Sequence, residues 1–88
     1  MKIIVYMTVK RWYIYLVECS DGSFYTGITN DLENRMKAHS EGKGSKYVRA
    51  KGFGKLLKSK ELESHSVALK EELKLKKLKR FEKLEYFH

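Results

Sequence analysis

The chain has 88 residues, enough for one small domain with a compact core. Its 19 lysines and arginines outnumber 11 acidic residues, which gives a formal net charge of +8 at pH 7. This charge favours a polyanionic partner, a nucleic acid before a membrane surface, although solubility alone would also account for it. The apolar run from Ile3 to Met7 is too short for a signal peptide or a spanning helix. A single cysteine, Cys19, excludes an internal disulfide, so we expect a cytoplasmic protein.

The first predicted elements form a β-hairpin. Residues 12–19 are aromatic and β-branched, which favours a strand, and residues 24–28 have a similar composition. Between them, Asp21-Gly22 is a strong hairpin signal, because both central positions of such a turn favour positive φ. The sequence therefore predicts two antiparallel strands joined by a tight turn.

A helix is predicted next, over residues 31–41. One face of this helix carries Leu32, Arg35, Met36 and His39, which are spaced by three and four residues. Asn30 or Thr29 is expected to cap its N-terminus through a side-chain oxygen. The glycines of Gly42-Lys43-Gly44 are expected to end it.

The second half of the chain has weaker signals. Residues 43–54 have no clear period and predict a loop, and residues 56–62 predict a short third strand. A second helix is expected to begin at Ser64 or Ser66, break near Lys79 and resume to Phe87. The expected buried stripe of this helix is Leu69, Leu73, Leu78 and Phe81. The resulting fold class is α+β, with a small three-stranded antiparallel sheet and flanking helices.

The first eleven residues are expected to be an N-terminal extension of the domain. Residues 1–7 predict an extra edge strand, but Met7 is equally an alternative natural start.

Several tyrosines and glycines recur at a recognisable spacing. Tyr13-Ile14-Tyr15 is followed by Tyr25-Thr26-Gly27, then by Arg35 and His39. In this order the motifs resemble those of the GIY-YIG nuclease superfamily, and in particular its small stand-alone bacterial proteins of uncharacterised role. The resemblance covers residues 12–84. Tyr13 stands where the family name has glycine, which is common among the stand-alone relatives.

The resemblance implies a metal-dependent DNA endonuclease, with residues 12–88 as its nuclease domain. Such an enzyme would hydrolyse phosphodiester bonds at sites chosen by DNA structure, in DNA repair or recombination. Motif by motif, the implied catalytic residues are Tyr15, Tyr25, Arg35, His39 and Glu72. Glu72 is also the implied ligand of Mg²⁺ or Mn²⁺, because the family's glutamate precedes a lysine by five positions, as Glu72 precedes Lys77. Glu71 is its rival.

These residue types suit the chemistry. Arg35 offers a charged planar fork for a phosphate, and Mg²⁺ prefers few carboxylates with several waters, so one glutamate suffices. Tyr15 has an unperturbed pKa of about 10 and would need help as a base, which His39, one helical turn from Arg35, could provide. Gly27 would leave the backbone open to substrate. We expect all five implied catalytic residues to converge on one concave surface.

A basic segment is the expected DNA contact. From Gly42 to Lys60 there are seven basic residues and no acidic one. The predicted nucleic-acid-binding residues are Lys43, Lys46, Tyr47, Arg49, Lys51, Lys76 and Lys77. Tyr47 and Phe53 are candidates for stacking on an unpaired base. The 88 residues leave no room for a separate sequence-reading domain, so we expect the substrate to be branched, damaged or single-stranded DNA. We also expect a monomer that has no membrane partner.

Two other functions stay open at this point. One is a non-catalytic nucleic-acid-binding module with the same fold. Many family nucleases carry an asparagine late in the chain near the site, whereas this sequence has only Asn30 and Asn34, and this difference favours the module. A small basic protein on structured RNA is the other, although no RNA-binding motif is present. One cysteine and three scattered histidines do not form a zinc site.

Overall fold

The computed structural model describes residues 11–88. Its elements in chain order are β1 (Trp12–Cys19), β2 (Phe24–Thr29), α1 (Leu32–Ser40), α2 (Lys46–Lys51), β3 (Phe53–Leu62), α3 (His65–Lys76) and α4 (Arg80–Tyr86). The strand order is β2-β1-β3, and both pairings are antiparallel. The predicted fold class is confirmed. The edge strand expected at residues 1–7 lies outside the described residues.

The central strand β1 divides its side chains between two apolar layers, because alternate residues of a strand face opposite sides of the sheet. On one side, Ile14 packs with Leu62, Ala68 and Leu75, which brings in α3 and α4. On the other side, the buried cluster contains Tyr15, Val17, Cys19 and Val48, with residues of α1 packed against it. The sheet is therefore the middle layer, with two helices on each face.

The hairpin turn is confirmed, but its geometry differs from the expected one. Within the turn, only Gly22 has positive φ, at 85°, and no non-glycine residue among those described has one. Asp21 instead accepts hydrogen bonds from the backbone N–H and the hydroxyl of Ser23, at 3.0 and 2.6 Å. The hydrogen bonds of the Asp21 side chain thus fix a turn in which only one position has positive φ.

The cap of α1 is one residue later than expected. The carboxylate of Asp31 accepts from the backbone N–H of Asn34, while the hydroxyl of Thr29 accepts from the N–H of Asp31. Ser64, one of the two predicted candidates, caps α3 by accepting from Val67. Side-chain oxygens at these positions satisfy N–H groups that the helix leaves free.

The predicted loop over residues 43–54 is wrong, because it contains a short helix. Ser45 caps α2 by accepting from the N–H of Val48, and Gly52 ends it with a φ of 85°. Six residues do not complete two helical turns, so their apolar spacing gives little signal. The third strand follows at once from Phe53, three residues earlier than expected.

The predicted buried stripe is also largely wrong. Leu69, Leu73 and Phe81 are 45%, 63% and 77% exposed, whereas Ala68 and Leu75 are fully buried. Leu78 does pack against the core. The small side chain of Ala68 allows α3 to approach the sheet closely. The helix therefore buries the face that carries Ala68 and Leu75, and the face with Leu69 and Leu73 is exposed.

The break near Lys79 is confirmed, and an arginine then fastens α4 to the hairpin. Arg80 donates to the carbonyl oxygen of Gly22 at 2.7 Å and lies 3.8 Å from the centre of the Phe24 ring. In the described part of the chain, no helix is long and apolar enough to cross a membrane.

Candidate active site

Tyr15 lies at the centre of the α1 face of the sheet. It is fully buried and pairs across the hairpin with Gly27. A Cβ atom on Gly27 would lie 2.4 Å from the Tyr15 hydroxyl oxygen, so only glycine leaves room for the ring. The expectation that Gly27 keeps its backbone open to substrate is therefore wrong, because the tyrosine ring fills that space.

The hydroxyl of Tyr15 forms a buried hydrogen bond, 2.9 Å long, with Nε2 of His39. Burial raises the pKa of Tyr15 above its usual value, and burial lowers the pKa of His39, with the charge of Arg35 lowering it further. At neutral pH the tyrosine is thus protonated and the histidine is neutral. The hydroxyl donates, Nε2 accepts, and the proton of the imidazole is assigned to Nδ1.

The assigned Nδ1 proton faces a second glycine. His39 is 2% exposed, and its Nδ1 has no hydrogen-bond partner within residues 11–88. A Cβ atom on Gly44 would lie 2.4 Å from that nitrogen. The sequence predicts Gly44 only as a residue that ends the helix. In the structure it also lets the backbone between α1 and α2 pass close to the imidazole.

Tyr25 extends this buried pair towards the surface. Its ring centroid lies 5.6 Å from that of His39 and 6.2 Å from that of Tyr15. On its other flank, Tyr47 of α2 stacks at 5.9 Å with an interplanar angle of 24°. Phe53 stacks on His39 at 6.2 Å, and it is packed against the buried cluster. Four aromatic side chains and one imidazole thus make a continuous wall, with Tyr47 at its exposed end. We call this group the tyrosine wall; its members are Tyr15, Tyr25, His39, Tyr47 and Phe53.

Arg35 and Glu72 approach this wall from different elements. Arg35 lies on α1 and Glu72 on α3, which pack on opposite faces of the sheet. Both nevertheless act on Tyr15: the Arg35 guanidinium lowers the pKa of this phenol and the Glu72 carboxylate raises it, each effect smaller than that of burial. Among the five implied catalytic residues, side-chain contacts join Tyr15, Tyr25 and His39, and the convergence of Arg35 and Glu72 with them stays a prediction.

The two neighbouring glutamates of α3 face different surroundings. Glu71 accepts from the Tyr86 hydroxyl at 2.6 Å and pairs with Lys74 at 3.0 Å, so it fastens α3 to α4. The same two contacts lower the pKa of Glu71, the bond from Tyr86 most. Glu72 is not tied to α4, and its carboxylate pairs with Lys76 at 3.4 Å. Of the two glutamates, Glu72 is therefore the one whose carboxylate is not bonded to α4.

The donor set fits a hard divalent cation bound with its water shell. Within residues 11–88, no group of three or more His, Cys, Asp or Glu side chains could enclose a metal ion. Mg²⁺ is usually held by one or two carboxylates, substrate phosphates and several waters, and Glu72 alone can supply the protein's part. Its ion pair with Lys76 is a single contact of 3.4 Å to a half-exposed ammonium, for which a metal ion would compete.

The predicted DNA-binding residues fall into two groups. Lys43, Lys46 and Arg49 line a cavity of about 390 Å³ with Gly42, Gly44 and Ser45. Lys51 pairs with Asp21 at 3.5 Å. Lys76 and Lys77 lie at the end of α3, where Lys76 pairs with Glu72, an i, i+4 contact that their spacing could have indicated.

A match to a protein-family model accompanies this geometry. The model of the GIY-YIG catalytic domain matches residues 11–85, which is most of the chain. The chain belongs to the GIY-YIG family. This membership supports a nuclease-type function and implies DNA as the substrate, and GIY-YIG nucleases generally use divalent metals.

Relatives of similar length accompany the family match. A UPF0213 protein of Oceanobacillus iheyensis is 47% identical over 75 residues, covering 85% of this chain and 87% of that protein. One from Cupriavidus pinatubonensis is 43% identical over 81 residues, covering 91% of this chain and 90% of the other. The solution NMR structure of a UPF0213 protein from Bacillus halodurans matches with a TM-score of 0.53 and 40% identity, over 86% of this chain and 81% of that one. The chain resembles a group of small stand-alone bacterial GIY-YIG proteins.

The buried imidazole should make stability depend on pH. Because the pKa of folded His39 is lowered from the ordinary value of about 6.5, its contribution is complete above about pH 6.5 and is lost as the pH falls through the folded-state pKa. Urea unfolding at several pH values should therefore show a smaller loss of unfolding free energy below about pH 6.5 in His39→Gln than in the wild type. The exposed His88→Gln is the control and should follow the wild type. Equal slopes in all three proteins would contradict the assignment.

Proposed function

We propose that this chain is a metal-dependent DNA endonuclease that hydrolyses phosphodiester bonds at the tyrosine wall. The observation that carries the proposal is the buried Tyr15–His39 hydrogen bond with the Tyr25 ring beside it, in a chain of which residues 11–85 match the GIY-YIG catalytic domain. The charges of Arg35 on α1 and Glu72 on α3 also shift the pKa of Tyr15, in opposite directions. A phosphate-binding cation and a metal-binding carboxylate are a pairing that suits phosphodiester hydrolysis.

Arg35 is proposed to bind the scissile phosphate. Its guanidinium keeps its charge at any physiological pH and offers parallel N–H groups to two phosphate oxygens. Charge accumulates on those oxygens as water attacks phosphorus and the bond to the leaving oxygen breaks. A fixed cation at that position stabilises the transition state more than the ground state.

Glu72 is proposed to hold Mg²⁺ or Mn²⁺. When bound, such an ion neutralises phosphate charge and makes it easier for the attacking water to lose a proton. The chain's own contribution is one carboxylate on α3, whose ion-pair partner is Lys76. Lys76, which pairs with Glu72 at 3.4 Å, is then free to turn to the DNA backbone.

The two tyrosines are proposed to have different roles. Tyr15 has no exposed surface and a raised pKa, so it suits a positioning role: it holds His39 in one tautomer and one orientation. Tyr25 is only partly buried, and its ring contacts that of His39. We assign to Tyr25 the contact with the attacking water or the phosphate. The expectation that Tyr15 itself acts as the base is thereby revised.

The substrate and setting follow from the same proposal. We take residues 12–88 as a nuclease domain that acts as a monomer in the cytoplasm, on DNA recognised by its structure, in repair or recombination. The charge of +8 and the basic cavity favour contact with phosphates, which carry no sequence information directly.

A non-catalytic DNA-binding module is the second candidate. It is favoured by the lack of an asparagine late in the sequence, where only Asn30 and Asn34 are present. It is also favoured by the Lys76 ammonium, which already pairs with the carboxylate proposed to hold the metal. This module would keep the basic cavity and the tyrosine wall. It would show no metal-dependent cleavage.

The adjacent glutamates of α3 provide a matched test of the nuclease proposal. Glu72→Gln removes the proposed metal ligand and should abolish most cleavage of supercoiled, branched and single-stranded DNA in Mg²⁺ or Mn²⁺. Glu71→Gln removes a carboxylate bonded to Tyr86 and should lower stability but keep cleavage at the same metal concentration. Arg35→Ala should also lose cleavage.

Each possible result of that comparison has a distinct meaning. Cleavage that persists in Glu72→Gln and disappears in Glu71→Gln would reverse the metal assignment. A wild-type protein that binds DNA but cuts none of the three forms with either metal would establish the binding module instead.

Contact between the basic cavity and phosphates should appear in the salt dependence of binding. Replacing Lys46 and Arg49 together by alanine should flatten the plot of log affinity against log salt by roughly two phosphate contacts, at about 0.9 per contact. Lys60 and Lys70 are exposed on the α3–α4 side, and their double alanine variant should keep the wild-type slope. An unchanged slope in the first variant would mean that the cavity faces solvent.

A further inference from the structure

We propose that Tyr47 is a stacking platform for an unpaired nucleobase, and that it directs the site to DNA in which the nucleotide next to the scissile phosphate is not base-paired. The inference rests on the proposed function, which it deepens by naming the substrate class. It is carried by the position of Tyr47 at the exposed end of the tyrosine wall and by the basic groups around it.

The ring of Tyr47 is connected to the candidate chemistry through one aromatic neighbour. It stacks on Tyr25 with centroids 5.9 Å apart and planes inclined by 24°, within the range of favourable offset stacking. Tyr25 in turn lies 5.6 Å from His39. A base stacked on Tyr47 would therefore lie one aromatic ring from the substrate-facing tyrosine.

Tyr47 is accessible, unlike the other aromatic residues of the wall. It is 42% exposed, whereas Tyr25 and Phe53 are packed against the buried cluster. Phe53, an alternative stacking candidate, is occupied by its contact with His39. Only a fixed and partly open ring can receive a base, and among these rings Tyr47 has that combination.

The surroundings of Tyr47 suit the backbone of a nucleotide. Lys46 and Arg49, on the same short helix, line the basic cavity of about 390 Å³. The ammonium of Lys51 lies 5.9 Å from the Tyr47 ring centre, at the outer limit of a cation–π contact, and also pairs with Asp21. These contacts of Lys51 are weak and exposed, so a base and its phosphate can replace them.

The platform distinguishes unpaired from paired DNA for a geometric reason. In a duplex, each base is covered on both faces by its neighbours, and its ring face is not available to a side chain. A base in a single strand, a gap or a branch can present a face, and stacking on an aromatic side chain tolerates any base because every base has a π-face. Affinity for unpaired DNA should therefore depend on Tyr47, and affinity for plain duplex should not.

The test uses the full chain in EDTA, so that binding is measured without metal-dependent cleavage. The probes are a single strand of about 12 nucleotides with one 2-aminopurine and the same strand in a duplex. Stacking quenches 2-aminopurine fluorescence. Tyr47→Leu should lose the quenching and about tenfold or more in affinity for the single strand, with duplex affinity unchanged. Tyr47→Phe keeps the ring and should retain both.

A second exposed aromatic residue provides the matched control. Phe81 on α4 is 77% exposed, and Phe81→Leu should bind and quench as the wild type does. Thermal unfolding of each variant shows that the fold persists. Quenching and single-strand affinity that survive in Tyr47→Leu would overturn the proposal, as would an equal loss for single strand and duplex, or a loss in Phe81→Leu.

The outcomes for stacking and for cleavage are separable. Binding with Tyr47-dependent quenching but no cleavage by the wild type in Mg²⁺ would sink the nuclease proposal and leave the platform standing. Cleavage without Tyr47-dependent quenching would sink the platform alone. Absence of any DNA binding would overturn the platform together with the DNA substrate.

Discussion

The buried hydrogen bond between Tyr15 and His39 joins the central strand to the first helix, and the rest of the candidate site depends on it. The tyrosine ring fits only because Gly27 has no side chain opposite it, and the imidazole fits only because Gly44 passes beside it without a Cβ atom. Each glycine thus serves a close approach, here of backbone to a ring. With both rings fixed, Tyr25 and then Tyr47 can stack outwards to the surface.

Electrostatics link this wall to both faces of the sheet. Burial, more than any charge, keeps Tyr15 protonated, and Arg35 and Glu72 act on it in opposite directions. The neighbouring glutamate, Glu71, is already held by Tyr86 and Lys74, so the two carboxylates divide a structural and a proposed chemical role between them. Glu71 therefore explains how the last helix is attached, and Glu72, the next residue of α3, carries the proposed metal-binding role.

Much of this architecture could be predicted from sequence, because the hairpin and α1 have strong local signals in Asp21-Gly22 and in the spacing of Leu32 to His39. The α2 helix was missed because six residues carry almost no periodicity. The buried face of α3 was mispredicted because Ala68, a small residue, faces the core while larger Leu69 and Leu73 do not. The motif spacing proposes Glu72 for the site, and this assignment stays a prediction. Burial of Tyr15, and hence the proposed division of roles with Tyr25, depends on tertiary packing that spacing does not encode.

The most direct test of the central claim, a metal held by Glu72 beside the tyrosine wall, is paramagnetic broadening by Mn²⁺ in NMR spectra of the chain bound to a phosphorothioate strand that resists cleavage. The account predicts broadening that is strongest at Tyr25, His39 and Glu72, that is lost in Glu72→Gln and that persists in Glu71→Gln. Broadening that persists in Glu72→Gln but is lost in Glu71→Gln, or that is spread evenly along the lysines of the surface, would contradict it.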